Sequence, residues 1–348
     1  MSDIVWKAKL LLIPRIFYQL LSPVAAPVIF GLVFYALSWV YPRRIVSLPG
    51  SSWRAPRLAW VAIAGALLIF VVACVAAATT PPDTSGVEGG WRRSAPLLAA
   101  TLVVAVAAIV LRGEPRPAPD SAAIAPRRAW YTFTIQPLLW VSGIIASLLA
   151  LTALWQTVIA TTAPKDGRFL GNVPAYSELP VYMIFNGGYG YIAGVGWPNY
   201  LATFIALAAA IAVFVTALRA DANRPVATYP FTAQVRTERE RTARLFTLLL
   251  LGGLIITLGA VWTHAGSIGQ MQIAIDDNYI SKDRLVAFGG SYDMIAFPLN
   301  FGGRLVQGIG AALLLRIATD TARSVSELRI QQSRGATDGV ESLAGASH

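Results

Sequence analysis

The sequence predicts an all-α polytopic membrane protein. It has an N-terminal amphipathic segment, a first span and then three consecutive helical hairpins, about seven transmembrane helices in all, with six or eight also compatible. Three observations carry this. Hydrophobic residues make up 55% of the chain and charged residues 13%, about half the charge of an average soluble domain. Mean hydropathy is +0.58. The apolar residues are gathered into runs of the length that a bilayer core about 30 Å thick requires, roughly 20 residues of helix. Disorder, collagen, coiled coil and a disulfide scaffold are excluded.

The elements follow in order. Residues 1–22 mix apolar positions with Lys7, Lys9, Arg15 and Gln19, and Pro14–Arg15 interrupts the apolar stretch. A cleaved signal would place its charges before a clean apolar run, so an interfacial amphipathic segment fits better. The bundle occupies 23–318, with spans at 23–41, 58–79, 96–111, 135–161, 198–218, 245–264 and 298–315. The span at 96–111 is short, and Arg93 could extend it by snorkelling. Residues 319–348 read as a cytoplasmic tail in which 320–330 continue the last helix and 331–348 are disordered.

The charge is +10, which in a soluble protein would suggest nucleic acid. Sorting the basic residues by loop removes that reading. One alternate set of loops holds 18 of the 28 Lys and Arg, the other holds 9, and Arg304 lies inside a span. The positive-inside rule then places the C-terminus in the cytoplasm and, with seven spans, the N-terminus outside. Arg outnumbers Lys, 24 to 4; together with abundant Ala this points to a G+C-rich bacterial genome, hence a bacterial cytoplasmic membrane.

Three hairpins share features. Each outward helix ends in small polar residues, each return helix ends in Leu-Arg, and each outer loop is expected to carry a Gly pair: Gly89–Gly90, Gly187–Gly188 and Gly289–Gly290. Such copies would form a parallel, not an inverted, repeat, whereas inverted repeats are common in alternating-access transporters. Ala202, Ala206 and Ala210, and Gly143 with Ser147, have small-xxx-small spacing for close helix contact.

The second and third outer loops are long and rich in aromatics and glycine. Asn186, Tyr189, Tyr191, Trp197 and Tyr292 are the candidates they offer. The two readings are a vestibule for a lipid or small amphiphile and a structural cap with an aromatic belt. His264 ends its helix beside the acidic third loop of Asp276, Asp277, Asp283 and Asp293, where a solvated acidic turn outweighs a cation site.

Ionisable groups within spans are functional hypotheses. Arg304 is the one candidate, and i+3 and i+4 spacing puts Asn300, Arg304 and Gln307 on one face. That stripe could bind an anionic head group or line a pore, and snorkelling of Arg304 is the alternative. With Cys74 alone and two His, no Cys-based metal site is expected. The phosphate-loop, zinc-protease, nucleophile-elbow and dinucleotide motifs do not occur, and no catalytic residue, cofactor or metal is assigned. The expected function is a non-enzymatic integral membrane protein, a transport-related or complex-forming subunit with structured outer loops. Its partners are the lipid bilayer and a protein partner or second copy, not nucleic acid. The alternatives are a permease or channel past Arg304 and Asn300, and a lipid-modifying membrane enzyme.

Overall fold

The apolar runs become helices because a backbone in hydrocarbon must satisfy its own hydrogen bonds. The computed structural model describes residues 25–40, 44–46, 54–80, 85–113, 128–170, 178–188, 190–224, 232–276 and 285–345. Seven helices occur among them: α1 (Ala25–Leu37), α2 (Arg54–Thr79), α3 (Gly86–Arg112), α4 (Gln136–Val158), α5 (Trp197–Ala222), α6 (Thr232–Gly269) and α7 (Asp293–Gly345). The amphipathic segment expected at 1–22 lies outside the described residues.

Six of the seven, α2 to α7, are long and apolar enough to cross a membrane. The described part of α1, 13 residues, is about 20 Å long at 1.5 Å per residue. It packs along α7 and runs in the same direction. Phe30 meets Phe301 edge-on, and Trp39 lies under Arg316 and Arg323 further along α7.

The helices outrun the apolar stretches. α3 starts at Gly86, ten residues before the expected span, and carries Pro96 in its interior. α6 has 38 residues and α7 has 53, about 57 Å and 80 Å. α7 continues to Gly345, past the point at 330 where composition suggests that helix gives way.

α6 is the axis of the bundle. In its most apolar window 89% of residues are buried, against 22% for α2 and 17% for α4. A helix that is apolar all round is stable only when surrounded, and α6 packs on α7, α3, α4 and α2. Lipid supplies no hydrophobic force between helices, so they associate through close packing and hydrogen bonds. The α6/α7 crossing shows both. A Cβ added at Gly303 would lie 2.6 Å from the Gly259 carbonyl oxygen, and one at Gly259 would lie 2.5 Å from that of Gly303. Ala202, Ala206 and Ala210 are buried, as their spacing suggests. Gly143 is different: nothing lies within 4 Å of a Cβ there, and both it and Ser147 are exposed. Among the described residues their expected close contact is not made.

One end of the bundle carries a cap, built from the two long loops. β1 (Phe169–Leu170), β3 (Tyr191–Ala193) and β2 (Tyr182–Ile184) form a small sheet in that order, and β4 (Gln272–Asp276) pairs antiparallel with β5 (Leu285–Gly289). A bridge between Phe185 and Gly290 joins the two loops. Beneath them Met183, Phe185, Ile192 and Val195 pack on Ile268, Tyr292 and Ala296, a second apolar core separate from the main one. Gly196 closes the cap into α5. Its φ is +87°, and a Cβ there would fall 1.8 Å from the Pro180 carbonyl oxygen, so only glycine fits. The Gly pairs do not mark equivalent places. Gly89–Gly90 lies inside α3 rather than in a loop, Gly187–Gly188 is in the turn after β2, and Gly289–Gly290 ends β5.

The opposite, basic end is tied by arginines. Buried Arg239 donates from Nη1 to the Ala222 carbonyl at the end of α5 (2.8 Å), and from Nη2 to that of Arg224 (2.6 Å). Arg224 in turn reaches the Leu111 carbonyl near the end of α3. Arginine at a helix C-terminus satisfies orphan carbonyls and complements the dipole. Two buried ion pairs accompany these bonds, Arg54–Asp221 at 3.1 Å and Arg316–Asp320 at 3.3 Å. Asp320 also accepts from the Ile45 amide at 2.8 Å.

Candidate functional site

At the capped end the packing of α2, α3, α6 and α7 leaves a pocket of about 60 Å³. Its polar lining is Thr80 just past α2, Arg92 and Arg93 from α3, Thr263 and His264 from α6, and Gln307 from α7, between alanines and Ile256. Arg93 stands seven residues into α3, about 10 Å from its start. Its side chain is buried. The expected snorkelling is therefore not what the structure shows: α3 turns this residue toward α6.

Arg93 Nη1 lies 3.3 Å from His264 Nδ1, and His264 Nε2 lies 2.9 Å from the Gly194 carbonyl oxygen in the cap. A carbonyl only accepts, so Nε2 carries the hydrogen and donates to Gly194. Nδ1 then accepts from the guanidinium. Both ring nitrogens are engaged, and the imidazole links the cap to α3. Beside it, the Tyr200 ring is 6.3 Å from that of His264.

A second polar layer lies under the cap. The Tyr200 and Tyr292 hydroxyls each sit 3.4 Å from Gln156 Oε1, and Tyr292 also donates to the Ala265 carbonyl at 3.0 Å. A hydroxyl has one hydrogen to give. With the Gln156 amide turned over, its NH2 donates to both hydroxyls, which also supplies a partner for a nitrogen otherwise left without one. Asn199 holds the start of α3 by accepting from the Gly86 amide at 2.5 Å, and Ser94 and Thr203 join α3 to α5 at 3.0 Å.

The residues singled out from the sequence scatter around this pocket. Gln307 Nε2 donates to Thr263 Oγ1 (3.0 Å) and lines the pocket, while Asn300 Nδ2 donates to the Thr263 carbonyl (3.2 Å). Thr263 passes its own hydrogen to the Gly259 carbonyl (2.8 Å), the usual way a helical hydroxyl is satisfied. Arg304 is half-buried, on the edge of the face that Asn300 and Gln307 turn to α6. Asn186 stitches the two loops through Nδ2 to the Gly290 carbonyl (3.1 Å). Tyr191 packs on Phe169 within the cap, Trp197 is exposed at the start of α5, and Tyr292 stacks edge-on against Trp155 at 4.9 Å. Tyr189 lies outside the described residues, as do Asp277 and Asp283.

His264 therefore meets Arg93 and the Gly194 carbonyl. Among the described residues no group of three or more His, Cys, Asp or Glu is placed to hold a metal, and no Asp or Glu lines the pocket. Glu88 reaches Arg92 from the rim, and Arg92 Nη1 also donates to the Thr79 carbonyl at 2.5 Å. The arrangement gathers two guanidinium groups, two hydroxyls, an imidazole and an amide around a small space under the cap. Comparison with protein-family models, with curated proteins and with solved structures finds no match.

Proposed function

We propose that this chain is a non-enzymatic integral membrane protein that serves a transport-related or complex-forming role by holding an anionic group beneath its structured cap. The observation that carries this is a pocket of about 60 Å³ under the cap whose lining combines two arginines, Arg92 and Arg93, with Thr80, Thr263, His264 and Gln307. A cation at membrane depth is costly and serves a partner or a ligand, and basic pockets between helices suit lipid head groups. The engagement of both His264 nitrogens supports the non-enzymatic reading, since a general base needs a nitrogen to receive the proton.

The excess of arginine at the basic end supports a cytoplasmic location for that end and for the C-terminus. The cap then faces outward from the membrane, in keeping with a bacterial cytoplasmic membrane. Because α1 runs in the same direction as α7, the chain enters α1 from the capped side. The long inner extensions of α6 and α7 offer a surface for a protein partner or a second copy.

Native mass spectrometry of the gently solubilised protein tests the proposal. The wild-type protein should carry a bound anionic species that Arg93→Gln loses. A wild-type protein that carries no anionic species beyond the annular phospholipid that Arg93→Gln also retains would contradict it.

A further inference from the structure

One hydroxyl in the pocket under the cap is left over from the bonding of the bundle. Thr80, the first residue past α2, lines the pocket, and its Oγ1 is buried with no hydrogen-bond partner among the described residues. Buried threonines within the helices give their hydrogen to the carbonyl one turn back, as Thr101 and Thr247 do at 2.7 Å. Thr80 stands beyond the last turn of α2 and does not use that outlet. A buried hydroxyl without a partner costs free energy, and this one faces a cavity.

Sorting the other lining groups by the hydrogens they have already given leaves few. Thr263 donates to the Gly259 carbonyl, and His264 is engaged at both ring nitrogens. Gln307 donates one amide hydrogen to Thr263 and has a second. Arg92 donates to the Thr79 carbonyl and to Glu88, and a guanidinium has more hydrogens than these two bonds use. The bond to Thr79 draws the Arg92 side chain to the end of α2, where Thr80 stands. The uncommitted hydrogens therefore come from three sides: Thr80 past α2, Arg92 on α3 and Gln307 on α7.

Charge and size narrow the guest. Among the described residues the lining holds two guanidinium groups and no carboxylate, with Glu88 meeting Arg92 from the rim. The volume of about 60 Å³ is the share of roughly two water molecules at about 30 Å³ each. A carboxylate or a single phosphate group suits that space, whereas a sugar or choline head does not. An oxyanion also accepts several charge-assisted hydrogen bonds at once, which donors on three sides require. Arg92 lines the pocket with 38% of its side chain exposed, so its guanidinium reaches from the pocket to the surface of the protein.

Resting on the reading of the pocket as an anion site, we propose that it takes a compact oxyanion, a phosphate or small carboxylate group, held by the Thr80 hydroxyl, the Arg92 guanidinium and the second amide hydrogen of Gln307. Arg92 supplies charge, and Thr80 supplies the one hydroxyl hydrogen that nothing else takes. Arg93 and His264 form the wall behind, bonded to each other and to the cap, and the guest needs no hydrogen from either.

The test uses inorganic phosphate and the full chain in neutral detergent. The melting temperature is followed as phosphate replaces chloride at constant ionic strength, for the wild-type protein, Thr80→Val and Arg92→Gln. Phosphate should raise the wild-type value in a saturable way, as a ligand of the folded state does. Thr80→Val keeps the size of the side chain and removes the hydroxyl, while Arg92→Gln removes the charge. Each should raise the half-saturating concentration about tenfold, the worth of one hydrogen bond to a charged group. A parallel series with phosphatidate identifies the source. A rise with phosphate assigns the group to a soluble anion, and a rise with phosphatidate alone assigns it to a lipid head; either supports the proposal when it weakens in both variants.

A rise of equal midpoint in the wild-type protein, Thr80→Val and Arg92→Gln, but absent from Arg93→Gln, would overturn the proposal and leave the anion reading of the pocket standing. No response of the wild-type protein to phosphate or to phosphatidate would overturn both and leave the pocket to ordered water. That comparison decides even where a variant does not fold.

Discussion

The two ends of the bundle use arginine in opposite ways. At the basic end, Arg54 and Arg316 are buried against Asp221 and Asp320, and Arg239 caps the carbonyls that close α5. At the capped end, buried Arg93 meets a neutral imidazole across a pocket. The same residue type thus braces helices where its charge is answered by carboxylates and carbonyls. Where it lines a pocket, one of its partners is an imidazole that ties the cap to α3. Burial alone does not separate the two roles; the chemistry of the neighbours does.

That contrast can be broken most sharply at Asp320. Asp320→Asn leaves Arg316 buried beside a neutral amide, and removing one partner of a buried pair costs about 3–5 kcal/mol. Loss of folded protein in detergent size-exclusion is the expected result. Normal folding of this variant would mean that the basic end is not held by its ion pairs.

Gly303→Leu comes next. Its side chain would be driven into the Thr263 backbone, since a Cβ alone would lie 2.5 Å from that nitrogen. Overpacking of this kind costs about 1–3 kcal/mol, and a lower melting temperature should accompany separation of α6 from α7. Gln307→Ala removes one interhelical hydrogen bond, worth about 0.6 kcal/mol in a membrane. Its melting temperature should fall only slightly, while the shape of the pocket changes.

Arg92→Ala should do least to stability. Arg92 pairs with Glu88 one turn away, with the carboxylate 71% exposed, and exposed i,i+4 pairs contribute about 0.3–0.5 kcal/mol. A melting shift within error is expected, together with weaker ligand binding. A large loss of stability here would place the structural role at the capped end as well.

Much of the fold was legible in the sequence, because hydropathy reports what lipid selects. It marked each of the six long helices, yet stopped where charge began. Helix geometry does not stop there, so α3 begins at Gly86 and α6 at Thr232 among charged residues. The short strands were hidden for another reason. The stretches at 182–184 and 191–193 are three residues each, too brief for an alternating pattern to stand out from their glycine-rich surroundings.

The site was legible only in part. His264 and Gln307 stand out as polar groups near or within apolar runs, and both line the pocket. Arg93 sits just before the apolar run, where snorkelling is the ordinary outcome. Its inward direction depends on the rotation of α3 against α6, set by packing that no local pattern encodes. Arg304 is the converse case, inside the apolar run and yet only half-buried. One signal could have favoured Arg93. Pro96 and Gly90 flank it, and Gly253 of α6 packs against Pro96, so α3 comes very close to its neighbours around this arginine.

The most direct test compares one arginine from each end. Melting temperatures of the wild-type protein, Arg93→Gln and Arg54→Gln are measured in neutral detergent, with and without glycerol phosphate, since a ligand that binds only the folded state raises stability with its concentration. The ligand should raise the melting temperature of the wild-type protein and of whatever Arg54→Gln remains folded, and leave Arg93→Gln unchanged. An equal rise in Arg93→Gln and the wild-type protein would contradict a ligand role for the buried arginine at the capped end.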